Sequence, residues 1–211
     1  VDSSGVRGAI KAAERAGIKV ITVDVPARNV PVAAFIGTDN HAGGEQAGAL
    51  MAKILNGTGQ IGIIDYPTVQ SVVERVDGFR EGIAAHGGMR IVSDQAGITR
   101  AEALTVAQNM LQANPDLTGI FGFGDDAALA AVSAVHSAHR DKTVKVVGFD
   151  GMAEARAVVD RDPVFAGVIR QFPDQMGIAA IDTANAIMAG KPFEARQLIK
   201  PGIYTHGGET H

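Results

Sequence analysis

The sequence predicts an α/β fold built from open, doubly wound, mostly parallel sheets. Short apolar runs rich in β-branched residues alternate with longer stretches in which apolar residues recur every three or four positions. From residue 61 onward, successive apolar runs begin 30, 28, 25 and 21 residues apart, which is close to the length of a strand–helix–strand unit. Continuous apolar runs of this kind are typical of parallel strands that are buried on both faces.

The predicted elements follow this alternation along the chain. Strands are predicted where the short apolar runs occur, at 18–23, 32–37, 61–65, 91–93, 119–123, 144–149 and 165–169. Helices are predicted where the spacing is three or four, at 6–16, 43–55, 72–86, 101–113, 127–138, 153–160 and 175–189. Pro173 supports the start of the last helix, because a proline in the first turn has no N–H that would be left without a partner.

Three places interrupt the alternation. Residues 24–30 join two predicted strands without a helix between them, so we expect the chain to leave one sheet there. Residues 171–174 end a strand and start a helix, and the segment at 199–202 is polar and contains a proline. All three places are candidate crossings between two lobes. Residues 206–211 are predicted to form a flexible tail.

The composition narrows the classes of function. The 211 residues carry a net charge of −4 without clusters of Lys or Arg, which argues against nucleic acid or an anionic membrane as a partner. No apolar run approaches the roughly 20 residues that a membrane span needs. The absence of Cys excludes disulfides, thiolate metal sites and Cys nucleophiles. The chain starts at Val1 without Met or a signal sequence, and we expect it to begin inside a longer gene product.

Polar side chains follow four of the predicted strands. They are Asp24, Asp150, Gln171 and the pair Asp125 and Asp126. The carboxyl ends of parallel strands meet at one edge of a sheet, where α/β proteins bind ligands, so these residues predict a shared polar cleft. An Asp after a strand is also a common cap of the next helix, and for Asp125 or Asp126 this second interpretation is favoured.

The sequence contains no set of residues that requires catalysis. Arg75 lies near the start of a predicted helix, where a cation interacts unfavourably with the helix dipole. This position indicates a functional role for Arg75, with a solvent-exposed helix surface as the alternative. The glycine-rich segments do not match a phosphate-binding or dinucleotide-binding loop. The six histidines form no recognised metal pattern, and no nucleophile elbow is present. We therefore expect no enzyme activity, no cofactor and no metal.

An ordered set of motifs resembles the ribose-type periplasmic sugar-binding proteins. The motifs are IKVITVD at 18–24, IGTDN at 36–40 followed by glycines at 43 and 44, ERVDGF at 74–79, VVGFDG at 146–151 and QFPDQMG at 171–177. Each motif is weak alone, but together they keep the family's order and spacing from Val1 to about Pro201. The resemblance implies an exported protein, periplasmic or a lipoprotein, that delivers a sugar or polyol to the membrane permease of an ABC importer.

The resemblance also implies two lobes with a ligand clamped between them. The lobes are expected at 1–38 with 172–199, which lacks the family's first strands and helices, and at 39–171 with 200–211. Direct ligand contacts are implied at Asp24, Arg75, Asp150 and Gln171. Carboxylates accept hydrogen bonds from hydroxyl groups and an arginine donates them in a planar fork, so these residue types suit a sugar.

Three positions depart from the ribose binders. The chain has Gly124 where they carry Asn, Val25 where they carry Arg, and Ile98 where they carry an aromatic residue. Gly124 and Ile98 are therefore candidate ligand-binding positions with a changed chemistry. The departures change the pattern of hydroxyl groups that can be bound. Another pentose, a tetrose or a polyol is therefore as good a candidate ligand as ribose.

One alternative function belongs to a different class. The effector-binding core of a lac-repressor-type transcription regulator resembles the same family, and such a regulator would carry a basic helix-turn-helix before Val1. An enzyme on a similar scaffold is a further alternative. The residues upstream of Val1 would distinguish transport from regulation.

Overall fold

The computed structural model describes residues 5–210, which form an α/β structure with two sheets. The helices described are α1 (Arg7–Arg15), α2 (Asn40–Ile54), α3 (Gln70–Ala84), α4 (Arg100–Ala113), α5 (Asp125–Ser137), α6 (Ala153–Val159) and α7 (Pro173–Met188). The strands described are β1 (Ile21–Val23), β2 (Ala34–Thr38), β3 (Thr58–Asp65), β4 (Gly88–Ala96), β5 (Leu117–Gly122), β6 (Lys145–Asp150), β7 (Phe165–Arg170), β8 (Arg196–Ile199), β9 (Gly202–Thr205) and β10 (Gly208–Thr210). Every predicted strand and helix is present, and β8, β9 and β10 are additional. Within residues 5–210, no helix is both long enough and apolar enough to cross a membrane.

The smaller sheet has the strand order β1-β2-β8, and its strands run parallel. Helix α7 packs on this sheet and buries Met176 against Ala34 and Ile36. β1 forms one edge of the sheet. The outer face of α7 exposes Ile178 and Ile181, so this helix has apolar side chains on both of its faces.

The expectation that the chain leaves a sheet at 24–30 is wrong. β1 and β2 are parallel neighbours in the same sheet, with Ile21 opposite Ala34. The loop between them contains two prolines, and Asp24 and Asn29 have φ values of 70° and 55°. Because left-handed residues and prolines both interrupt a helix, the loop makes a parallel connection without one.

The larger sheet has the strand order β10-β9-β7-β6-β5-β3-β4. The five strands from β7 to β4 are parallel, whereas β9 is antiparallel to both of its neighbours. Neighbouring residues of β5 point to opposite faces, as in any strand. Phe121 packs with the helices α2 and α3, where it stacks on Phe79, and Ile120 packs with α4 and α5. Helices therefore cover both faces of the sheet.

The expectation of a flexible tail at 206–211 is wrong, because the described residues 206–210 form a turn and a strand. His206 and Gly207 form the two-residue turn of a hairpin, and the positive φ of Gly207, 95°, suits that turn. β10 then pairs with β9, with Glu209 opposite Tyr204. His211 lies outside the described residues.

The chain passes between the two sheets at three connections, which join β2 to α2, β7 to α7 and β8 to β9. The first connection contains Asp39, whose carboxylate accepts a hydrogen bond from the backbone N–H of Ala42 at 3.2 Å and so caps α2. Two mostly parallel sheets flanked by helices confirm the predicted fold class.

Candidate functional site

A cavity of about 480 Å³ lies between the two sheets, at the carboxyl ends of β1, β6 and β7. Four of the predicted contact residues line it, namely Asp24, Arg75, Asp150 and Gln171. The other lining residues are mostly apolar or aromatic: Val23, Val25, Tyr66, Val69, Ser71, Val72, Phe123, Met152, Pro173 and Met176. Parallel strands of both sheets end here, which is how polar groups distant in sequence come to share one space.

Arg75 is the buried cation of the cavity wall. It lies in the second turn of α3, and only 5% of the residue is exposed. Its Nε donates to Asn40 Oδ1 at 2.9 Å, while Nη1 donates to the backbone oxygen of Phe123 at 2.8 Å and to Asp150 Oδ1 at 2.9 Å. The guanidinium carbon lies 3.9 Å from the centre of the Phe149 ring, a cation–π distance. These contacts hold the guanidinium in one plane, and within residues 5–210 no hydrogen bond engages Nη2.

A ring of hydrogen bonds joins the two sheets beside the cavity. Asp150 Oδ1 accepts a second hydrogen bond, from Gln171 Nε2 at 2.5 Å. The hydroxyl group of Thr38, at the end of β2, donates to Gln171 Oε1 at 2.6 Å. Asn40 Nδ2 donates to the backbone oxygen of Thr38 at 3.1 Å and closes the ring back to Arg75. The polar wall is therefore oriented by its own contacts before any ligand enters.

The two acidic residues of the cavity have unusual backbone conformations. Asp24 has φ 70° and Asp150 has φ 95°, in the region that side chains other than glycine rarely adopt. The backbone N–H of Asp24 donates to Ile36 O at 2.8 Å, and Asp150 O accepts from Gln171 N at 3.0 Å. Such strain persists where surrounding contacts enforce it, and it is found at functional sites. Here it places each carboxylate at the end of its strand, against the cavity.

The Asp24 carboxylate is available to a ligand. Burial raises the pKa of Asp24 above its usual range, Arg75 opposes the rise, and the charge on Asp150 adds to it. Among the described residues, no side-chain hydrogen bond engages this carboxylate. Asp24 is also exposed to solvent on the cavity side, so a ligand that donates hydrogen bonds can reach this acceptor.

Asp125 has a different role from the helix cap that the sequence favoured. Gly124 occupies the capping position of α5, and the Asp125 carboxylate accepts hydrogen bonds from the backbone N–H groups of Gly151 at 3.2 Å and Met152 at 2.7 Å. Burial raises the pKa of Asp125 to about 7, and the charge on Asp150 adds to the rise. Asp125 therefore supports the turn that follows β6, next to the cavity.

The remaining two predicted positions lie outside the cavity lining. Gly124 is adjacent to it, since a Cβ atom at this position would lie 2.9 Å from Asp150 Oδ2. The glycine therefore leaves this carboxylate oxygen unobstructed. Ile98 follows β4, and its side chain is largely exposed and does not line the cavity. The structure thus brings four of the six predicted residues together, sets Gly124 beside them and does not include Ile98.

Sequence reasoning missed the aromatic part of the site. Tyr66 and Phe123 both line the cavity, and their ring centres lie 5.7 Å apart at 64°. Tyr66 directly follows β3 and Phe123 directly follows β5. The rule that identified Asp24 and Asp150 would have found them if aromatic residues at strand ends had been considered together with polar ones.

Comparison with known proteins places the chain among binding proteins. A family model described as the periplasmic binding protein domain matches residues 1–192. The ribose import binding protein of Escherichia coli strain K12 is 36% identical over 196 residues, which cover 92% of this chain and 66% of that protein. The chain therefore spans just under two thirds of the length of this curated relative.

Two solved structures resemble the fold closely. A periplasmic solute binding protein from Actinobacillus succinogenes with bound D-allose has a TM-score of 0.89 and 28% identity, covering 97% of this chain and 74% of that chain. The Caulobacter myo-inositol binding protein, bound to myo-inositol, has a TM-score of 0.88 and 31% identity, covering 98% of this chain and 72% of that chain. The match of the family model over most of the sequence, on a fold with this architecture, shows that the chain belongs to the periplasmic binding protein family.

Proposed function

We propose that the protein is the substrate-binding component of an ABC importer and binds a monosaccharide or a polyol in the cavity between its sheets. The observation that supports this proposal is the polar wall of Arg75, Asp150 and Gln171, which is oriented by hydrogen bonds around the buried Arg75. The same cavity is lined by the carboxylate of Asp24, which has no side-chain hydrogen bond among the described residues. Ribose import, D-allose and myo-inositol in the names of similar proteins support the same class of ligand.

The cavity offers complementary groups for the two sides of such a ligand. Asp24 and Asp150 Oδ2 accept hydrogen bonds from hydroxyl groups, and Arg75 Nη2 donates them. The rings of Tyr66 and Phe123 pack against the C–H groups of a sugar or cyclitol. A neutral ligand fits because the charge of Arg75 is already balanced by Asp150.

We further propose how the chain divides into two lobes and in which compartment the whole protein works. One lobe comprises residues 1–38 with 172–199, and the other comprises residues 39–171 with 200–211. The lobes close on the ligand about the three connections between the sheets. The whole protein works outside the cytoplasmic membrane, in the periplasm or as an exported lipoprotein, and passes its ligand to a membrane permease without catalysis and without nucleic acid.

Isothermal titration calorimetry of the full-length protein with D-ribose, D-allose and myo-inositol tests the proposal. The informative variants are Asp24→Asn and Asp150→Asn, because asparagine tolerates the left-handed backbone of these positions and keeps the size of the side chain. Each change removes the charge and replaces one acceptor oxygen by an amide donor. We expect at least one ligand to bind, and each variant to lose roughly thirty-fold or more in affinity, the loss that removal of a buried charged contact produces.

The matched control is Asp116→Asn, which changes an exposed carboxylate away from the cavity. This variant should bind as the wild type does. Failure of all three ligands, or affinities of both cavity variants within twofold of the wild type, would overturn the proposal.

A further inference from the structure

We propose that His41, Glu45 and Glu81 form a surface site for one divalent transition-metal ion, with zinc(II) as the best match. The three side chains lie outside the sugar cavity and have no part in the ring of hydrogen bonds described above. Two of them belong to α2 and the third belongs to α3. The proposal is independent of the proposed sugar binding.

The donor atoms already have nearly the spacing of a metal site. One ligand atom from each residue lies within 4.8 Å of the others, and His41 Nε2 is 3.3 Å from Glu81 Oε1. A tetrahedral zinc ion, with its ligands about 2.0–2.2 Å away, holds neighbouring donor atoms about 3.4 Å apart. His41 and Glu81 already have this spacing, and Glu45 offers a third donor atom within 4.8 Å of both.

The packing of α2 on α3 fixes this spacing. A Cβ atom at Gly44 would lie 2.1 Å from the carbonyl oxygen of Arg75, and one at Gly78 would lie 2.1 Å from the carbonyl oxygen of His41. Gly48 and Gly82 continue the same contact one turn further along. The two helix backbones touch directly, so the helices have little freedom to move apart and the donors are held on a rigid frame.

The charges at the site favour a cation. Glu45 and Glu81 are exposed, and the His41 side chain is half-exposed, so an ion can enter from solvent. Within residues 5–210, neither carboxylate forms an ion pair with Lys or Arg. A bound divalent ion would neutralise two carboxylates that face each other across the helix pair.

The donor set selects the class of metal. One imidazole and two carboxylates suit zinc(II) and its neighbours in the first transition series, whereas magnesium prefers six oxygen ligands. Three protein ligands also leave a fourth position for water. Sequence motifs did not reveal the site, because only His41 and Glu45 are close in sequence, and Glu81 comes from another helix.

Calorimetric titration of the EDTA-treated, dialysed protein with zinc chloride tests the proposal. We expect one ion per chain, and a loss of tenfold or more in affinity for His41→Ala and for Glu81→Gln, because each change removes one of three ligands. An excess of magnesium should not displace the zinc. Cobalt(II) should give the intense visible absorption of a four-coordinate ion and should lose it in both variants.

The control is His86→Ala, which removes an exposed histidine that lies away from the site. It should bind zinc as the wild type does. Circular dichroism of the two ligand variants should show unchanged melting, since both side chains are at the surface. No saturable binding by the wild type, or equal affinity in wild type, His41→Ala and Glu81→Gln, would overturn the site.

Discussion

Replacing Arg75 by leucine tests whether the ring of hydrogen bonds holds the cavity wall together. The change removes the donors to Asn40 Oδ1, to the Phe123 backbone oxygen and to Asp150 Oδ1. It keeps a side chain of moderate size, so the loss measured is mainly polar. We expect the variant to fold and to be markedly less stable.

The size of the effect follows from the burial of the two charges. The Arg75 side chain is 6% exposed and that of Asp150 is 32% exposed. Removing one partner of a fully buried ion pair costs about 3–5 kcal/mol, because the other charge is left without a partner. Water can reach Asp150 in part, so we expect the lower end of this range, about 3 kcal/mol, in the free energy of unfolding.

Urea denaturation followed by circular dichroism measures this difference by linear extrapolation. The matched control is Arg80→Leu on the same helix, whose ion pair with Asp94 is partly exposed on both sides. Pairs of that kind contribute about 0–1 kcal/mol. Equal losses in the two variants, or a loss below about 1 kcal/mol for Arg75→Leu, would refute the reasoning.

Three further predictions concern pH, closure and association. Because the pKa of Asp125 is raised to about 7 from an ordinary value near 4, the folded state keeps a proton that the unfolded state loses. The free energy of unfolding should therefore fall as the pH rises from about 4 to about 7. Urea denaturation of Asp125→Asn over the same pH range should show a smaller fall. An equal fall in the variant and the wild type would contradict the raised pKa of Asp125. Saturating ligand should lower the radius of gyration of the full-length protein in small-angle X-ray scattering, and an unchanged profile would exclude closure. A polypeptide of residues 1–211 should self-associate through the exposed Ile178 and Ile181, and light scattering should report a lower mass after both are changed to Glu. A wild-type polypeptide that is a well-folded monomer would show this expectation to be wrong.

The alternation of strands and helices was predictable because most strands are buried on both faces. The four central residues of β6 are all buried and apolar or glycine, so a continuous run marks the strand. β8 has the sequence RQLI, with two exposed and two half-buried residues, and gives no such signal. It becomes a strand because β2 offers it a parallel partner, which is information that local sequence does not contain.

The candidate site was predictable to the extent that strand ends define it. Asp24, Asp150 and Gln171 could be placed together from the topology of parallel sheets alone. The partners of Arg75 could not be predicted, because they meet it only through tertiary packing. Asn40 Oδ1 reaches it when α2 packs on α3, and the Phe123 backbone oxygen reaches it when α3 packs on the sheet at β5. The same holds for the role of Asp125, since the capping rule concerns its own helix and its hydrogen bonds go to the turn after another strand.

Gly44 is expected to be sensitive to mutation although it does not line the cavity. Gly44 does not line the cavity, yet even an alanine at this position would collide with the carbonyl oxygen of Arg75. To relieve the collision, α3 would have to shift and take the guanidinium group away from Asp150. If the protein transports a sugar as proposed, a library of variants selected for growth on that sugar should rank Gly44 among the least tolerant positions. A binding site inferred from such fitness data alone would include Gly44, which lies outside the cavity lining.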